Sequence, residues 1–179
     1  TPEVGVYCII SNKCITETQY VRLKLFEYLQ KKMANDFHLY GNGFSPVSTK
    51  TDIAFKYTHS IGVENRINPY LISEKFYDPI ILRNELFYLG GNISYKPFNR
   101  YVTELRDLSF DEIYRVMSCA LEKHRFDESK SQELYKLSEA ALRDNFVTQM
   151  LKNISKLNFK TPAREQRLRP QSFYKKRSL

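Results

Sequence analysis

Short apolar runs of β-favouring residues alternate along this chain with segments of helical period, and that alternation leaves few architectures open. Val4-Gly5-Val6-Tyr7-Cys8-Ile9-Ile10 reads as a buried strand, closed by the turn residues Ser11-Asn12-Lys13. The spacing of Tyr20, Val21, Leu25, Tyr28 and Leu29 predicts a helix from about Glu17 to Met33, broken at Asn35-Asp36. Phe37-His38-Leu39-Tyr40 is a second strand, ended by Gly41-Asn42-Gly43, and a polar loop holding Pro46 and Lys50 follows. His59 to Glu64 reads as a third strand, and Ser73 to Arg83 as a helix with Ser73 at its N-cap. Leu86 to Leu89 is a fourth strand ended by Gly90-Gly91, and Tyr101 to Leu105 a fifth. Ser109 then caps a helix with Phe110, Ile113, Met117 and Leu121 on one face, Glu112 completing a capping box. Residues 129–157 continue helically, with Leu134, Leu137, Ala141, Val147 and Leu151 apolar.

Strands interleaved with helices imply a parallel sheet wrapped by helices. The expected fold is therefore α/β, a Rossmann-like parallel sheet with a helical C-terminal third. A chain of 179 residues is one ordinary domain by length, and 42% apolar against 27% charged residues is enough to build a core. No run approaches the roughly 18 apolar residues of a membrane-spanning helix. The chain opens on Thr1 with no signal-peptide pattern, so it is expected to be processed or part of something longer.

Three cysteines (Cys8, Cys14, Cys119) are odd in number and lack CxxC spacing, which argues against a disulfide framework and a structural zinc site. The histidines, His38, His59 and His124, lie far apart in sequence. A reduced, metal-free intracellular protein is the default expectation; the sequons Asn92-Ile93-Ser94 and Asn153-Ile154-Ser155 argue weakly the other way.

The formal charge of +8 is concentrated at one end. Residues 160–179 carry seven Lys or Arg against Glu165 alone, so the expected division is a globular part over 1–159 and a basic tail over 160–179. Such a tail, with Phe173 and Tyr174, suits an anionic membrane surface or a protein partner, or is a solvated end; nucleic acid has no recognition motif behind it beyond charge.

In parallel sheets of this kind, ligands gather at the carboxyl ends of the strands, near helix N-termini that attract phosphate. Three places qualify. Ser11-Asn12-Lys13 precedes a helix carrying Arg22, a residue type that forks to phosphate but on a helix commonly faces solvent. Gly41-Asn42-Gly43 lacks the third glycine of a dinucleotide fingerprint and reads as a strand-ending turn. The third runs from Glu64-Asn65, at a strand's carboxyl end, to Ser73-Glu74-Lys75 at a helix start. A carboxylate in that first turn can accept ribose hydroxyls or simply complement the helix dipole. Lys75 opposes the dipole, so its presence asks for an anion. No Asp-x-Asp pair is present to hold a metal-bound nucleotide sugar.

These segments resemble one family. Tyr40-Gly41-Asn42-Gly43-Phe44, Lys50, Tyr57, Ser60-Ile61-Gly62-Val63-Glu64-Asn65, Ser73-Glu74-Lys75 with Asp78, and Phe87-Tyr88-Leu89-Gly90 are similar to the donor half of glycosyltransferase family 10, the α-1,3/1,4-fucosyltransferases. Ser11-Asn12 and Arg22 fit the opening of that half. The resemblance spans about Val6 to Phe98, and its Glu-Asn and Glu-Lys pairs at matching spacing are its most specific part. Leu71 stands where the family has a Tyr, with Tyr70 one place early; Ser73 replaces Thr and Leu86 a Pro.

The resemblance implies the C-terminal donor domain of a GT-B enzyme, binding GDP-fucose without metal. By that analogy Arg22 and Lys75 hold the pyrophosphate, Asn65 lies against the diphosphate and Glu74 holds ribose, with Glu64, Tyr70 and Ser73 completing the donor-binding set. The family reaction is an inverting displacement in which a glycan hydroxyl attacks the anomeric carbon as GDP leaves. Positive groups at the diphosphate stabilise the leaving charge. The family's catalytic base lies in an N-terminal acceptor domain expected to be missing here, so no catalytic residue is assigned. The alternative is a non-catalytic relative recruited to an assembly through the basic tail.

Overall fold

The structure is a computed structural model and describes residues 2–69, 71–93, 101–124 and 128–144. Its elements, in chain order, are β1 (Glu3–Ile9), α1 (Glu17–Met33), β2 (Phe37–Tyr40), α2 (Lys50–Lys56), β3 (Tyr57–Val63), α3 (Glu74–Ile81), β4 (Glu85–Leu89), β5 (Val102–Glu104), α4 (Phe110–Lys123) and α5 (Glu128–Asp144). The five strands form one sheet in the order β2-β1-β3-β4-β5, and every neighbouring pair is parallel. The chain winds outward from β1 to β2, then crosses back over β1 to β3 and continues the other way. The winding therefore reverses between β1 and β3, a topological switch point whose crevice opens at the strands' carboxyl ends.

Alternation along the strands sorts the core into two faces. Val6 and Cys8 of β1, Ile61 and Val63 of β3 and Phe87 of β4 meet Leu25, Phe26 and Leu29 of α1 and Ile113 and Met117 of α4. The intervening residues look the other way. Leu86 and Tyr88 pack with Phe76, Tyr77 and Ile80 of α3 and Ala141 of α5, while Tyr7 and Tyr57 meet Ala54 of α2. The two helix starts read from sequence are built as expected at Ser109, with both halves of its capping box, and at Ser73, whose Oγ accepts from the Lys75 N–H. Thr16 adds a third cap, paired with Gln19 in a second capping box.

Two expectations change. Lys50 does not lie in a loop but opens α2, which Thr49 caps by accepting from the Asp52 N–H. Seven residues are too few to show a helical period, so only the cap could have signalled it. The third strand begins at Tyr57 rather than His59, directly against the end of α2. The helical reading of 129–157 holds to Asp144, where description stops; the rest of that segment and the 160–179 tail lie outside the described residues. No helix among the described residues is long and apolar enough to cross a membrane.

The join of α3 to β3 depends on Gly62. Pro79 inside α3 has no N–H to give the Lys75 carbonyl, and that carbonyl presses against Gly62 instead. A Cβ at position 62 would stand 2.4 Å from the Lys75 oxygen, a backbone atom that cannot swing aside. Gly62→Ala is expected to push α3 off the sheet and to lower stability by about 1–3 kcal/mol, read as a fall in urea midpoint. An unchanged midpoint would mean that α3 is not seated as described.

Candidate functional site

The crevice at the switch point is built from the ends of β1 and β3, the start of α3 and one side chain of α1. The segment after β1 is laced to the turn after β2 by Ile10 N–H to Tyr40 O and Asn12 N–H to Asn42 O, both 2.9 Å. Gly41 (φ +109°) and Gly43 (φ +86°) need their glycines twice over, because a side chain at either would also strike Ile10 O or Asn12. Gly41-Asn42-Gly43 is thus the strand-ending turn expected from sequence, and it holds Ser11-Asn12 in place.

Arg22 reaches across the crevice. It is only 3% exposed, so the solvent-facing reading of a helical Arg fails here. Nη1 donates to Asn65 Oδ1 at 2.7 Å and Nη2 to the Ser11 carbonyl at 3.4 Å, tying the loop after β3 to the loop after β1. Nε is fully buried with no hydrogen-bond partner. Burial draws the Arg22 pKa below its ordinary value. The neighbouring Cys8 thiol is pushed up to about 12 by its own burial, against the opposing fields of Arg22 and Lys75. Burial outweighs both cations, so that thiol is inert.

Glu64, directly after β3, is buried and fully engaged. Its carboxylate accepts from the Ser73 N–H at 2.8 Å, the Ser73 hydroxyl at 2.7 Å and the Tyr88 hydroxyl at 3.0 Å. Burial, and then the Glu64 charge, raise the Tyr88 pKa far above its ordinary value. Glu64 and Ser73 thus act as a clamp setting the start of α3, rather than as free ligand acceptors. Tyr88 was in the motif pattern but not in the expected site; its two-residue alternation with Leu86 could have placed it on the α3 face.

Lys75 does meet an anion, but the chain supplies it. Its Nζ lies 2.8 Å from Glu74 Oε1 and 3.9 Å from Glu64 Oε2. Partial burial alone would raise the Glu74 carboxyl; the Lys75 hydrogen bond and charge outweigh it and hold that carboxyl below the usual range. Lys50 pairs with Asp78 at 2.7 Å along the same rim. Between β1, β3 and α3 lies a cavity of about 90 Å³, lined among others by Ile10, Gly62, Glu74 and Lys75. Small-molecule pockets run to roughly 300–1,000 Å³, so this enclosed space is too small for a whole nucleotide.

Of the residues singled out from sequence, Arg22 pairs with Asn65 across the loops after β1 and β3, Glu74 pairs with Lys75 at the start of α3, Glu64 and Ser73 set that start, and Tyr70 lies outside the described residues. No protein-family model and no curated protein matches this sequence.

Proposed function

We propose that this chain is a nucleotide-sugar-binding donor domain of the GT-B type, fucosyltransferase-like, serving an inverting, metal-independent transfer to a glycan acceptor. The observation that carries the reading is Arg22: a buried guanidinium spanning the switch point whose Nε has no hydrogen-bond partner. Desolvating a charge costs several kcal/mol unless it is compensated, and an anion entering the crevice would compensate it. Lys75, at the start of α3, supplies the second cation. A diphosphate between them would compete with Glu74 for the ammonium and leave Glu74 free to accept ribose hydroxyls. The acceptor and its deprotonating base would come from another domain.

The internal pairing of Lys75 favours a second reading, a non-catalytic protein of this fold whose crevice is closed by its own ion pairs and which joins an assembly or membrane surface through the 160–179 tail. Calorimetric titration with GDP and GDP-fucose, without and with Mg²⁺, separates the two. The donor-domain reading expects micromolar binding that ignores Mg²⁺. It also expects a weakening of roughly 10- to 100-fold in Lys75→Ala, the worth of one charged hydrogen bond, with the far-ultraviolet spectrum unchanged. Absence of binding to either ligand would leave the second reading standing.

A further inference from the structure

Two of the three histidines far apart in sequence, His59 and His124, come together in the fold. At the amino end of the sheet, ~16 Å along β3 from the crevice, His59 of β3 stands in register beside Glu85 of β4. His124, the residue that ends α4, comes in against both. Glu85 Oε1 lies 3.1 Å from His124 Nδ1 and 3.6 Å from His59 Nε2, and one ligand atom from each of the three residues falls within 4.8 Å of the others. A tetrahedral ion with bonds of about 2.0–2.1 Å requires ligand atoms ~3.3–3.4 Å apart. The two shorter separations bracket that value.

The surroundings are those of a held ligand set. His59 is 2% exposed, and its ring stacks on Phe87 at 5.5 Å. Its Nδ1 is hydrogen-bonded to Thr58 Oγ1 at 2.7 Å, and that oxygen also accepts the Gly5 N–H at 3.4 Å. The far nitrogen of the imidazole is thereby aimed at Glu85, the outer-sphere arrangement that orients metal-binding histidines. His124 sits where the negative end of the α4 dipole favours a cation. A cavity of about 230 Å³, lined by Glu85, His124, Lys130 and Leu134, opens beside the cluster.

We propose that His59, Glu85 and His124 form a site for a divalent transition ion of the zinc class, with a fourth position opening onto this cavity. Two imidazoles and one carboxylate suit Zn²⁺, Co²⁺ or Ni²⁺ and not Mg²⁺ or Ca²⁺, which prefer all-oxygen shells. The ion neutralises Glu85 and ties β3 and β4 to the end of α4. Lys130 marks the competition: its Nζ lies 2.5 Å from the same Glu85 oxygen, and the ion must displace it.

The test is titration of chelator-stripped full chain with Co²⁺, followed by absorption and then displacement with Zn²⁺. One Co²⁺ per chain is expected, with ligand-field bands of low-symmetry nitrogen–oxygen coordination that one Zn²⁺ removes. His124→Gln and Glu85→Gln should each weaken binding by more than the ~10–100-fold that loss of a supporting hydrogen bond costs. Lys130→Gln, which removes the competitor, should tighten it. Absence of the bands, or affinity in the two ligand variants unchanged from that of the unsubstituted chain, would overturn the site. Should a ligand variant lose its fold by circular dichroism, Lys130→Gln decides alone, and unchanged or weaker binding there counts against the proposal. None of these outcomes bears on the nucleotide crevice at the other end of the sheet.

Discussion

Glu64→Ala is expected to destabilise the protein by about 3–5 kcal/mol, the largest loss from any single crevice substitution. The carboxylate is 1% exposed and serves three donors: the Ser73 N–H, the Ser73 hydroxyl and the Tyr88 hydroxyl. Each buried donor left without an acceptor costs about 1–3 kcal/mol, and Lys75 would lose a nearby counter-charge as well. Because Ser73 caps α3, the start of that helix should fray and its packing through Phe76 and Ile80 loosen. Urea unfolding measures the effect as a drop in midpoint at unchanged slope. Glu64→Gln keeps one acceptor oxygen and should lose less. A loss under about 1 kcal/mol for the alanine variant would show that Glu64 does not clamp α3.

The second large effect separates stability from binding at a single residue. Arg22→Met keeps most of the side-chain volume and removes a buried guanidinium whose Nε has no partner. Replacing a buried charged group by a well-packed apolar one is often neutral or stabilising by about 1–4 kcal/mol. Asn65, the main partner left behind, is exposed and can turn to water. The urea midpoint should therefore hold or rise, while affinity for GDP falls by at least ~100-fold, the loss of a charge-assisted hydrogen bond together with its field. Stability kept and binding lost is the combination that the donor-domain proposal expects of Arg22. If Arg22→Met unfolds the protein more easily, the tie between the loops after β1 and β3 outweighs the cost of the buried charge, and the anion-site assignment falls with it.

The lacing of these two loops by one arginine also explains why the crevice was only partly legible beforehand. Spacing alone placed Arg22 within two turns of the helix start and Glu64 at a strand end, because both follow from local period and capping. It did not distinguish an arginine facing solvent from one turned inward, since α1 has Tyr20 and Val21 exposed beside Arg22 buried. Likewise the position of Lys75 at a helix N-terminus asks for an anion without saying where it comes from. That Glu74 and Glu64 provide one depends on how far Glu64 is drawn under α3 by Ser73, a matter of packing between elements nine residues apart in sequence. The short helix α2 was missed for a different reason: in seven residues the cap at Thr49 is the whole signal.

What the sequence by itself determined is the order and type of the elements other than α2: the strands Phe37–Tyr40 and Glu85–Leu89 within a residue of their reading, the helix Glu17–Met33, and the caps at Ser73 and Ser109. These rest on side-chain period, turn residues and capping, all of which act within a few residues along the chain. Only the tertiary structure decided that β1 lies between β2 and β3, and with it everything that happens at the two ends of the sheet. Strand order and register join residues tens of positions apart: Arg22 with Asn65 at the carboxyl end, His59 with Glu85 and His124 at the amino end. Such pairings are fixed by how the helices bury both faces of the sheet at once, a global packing solution that no local window of the sequence contains.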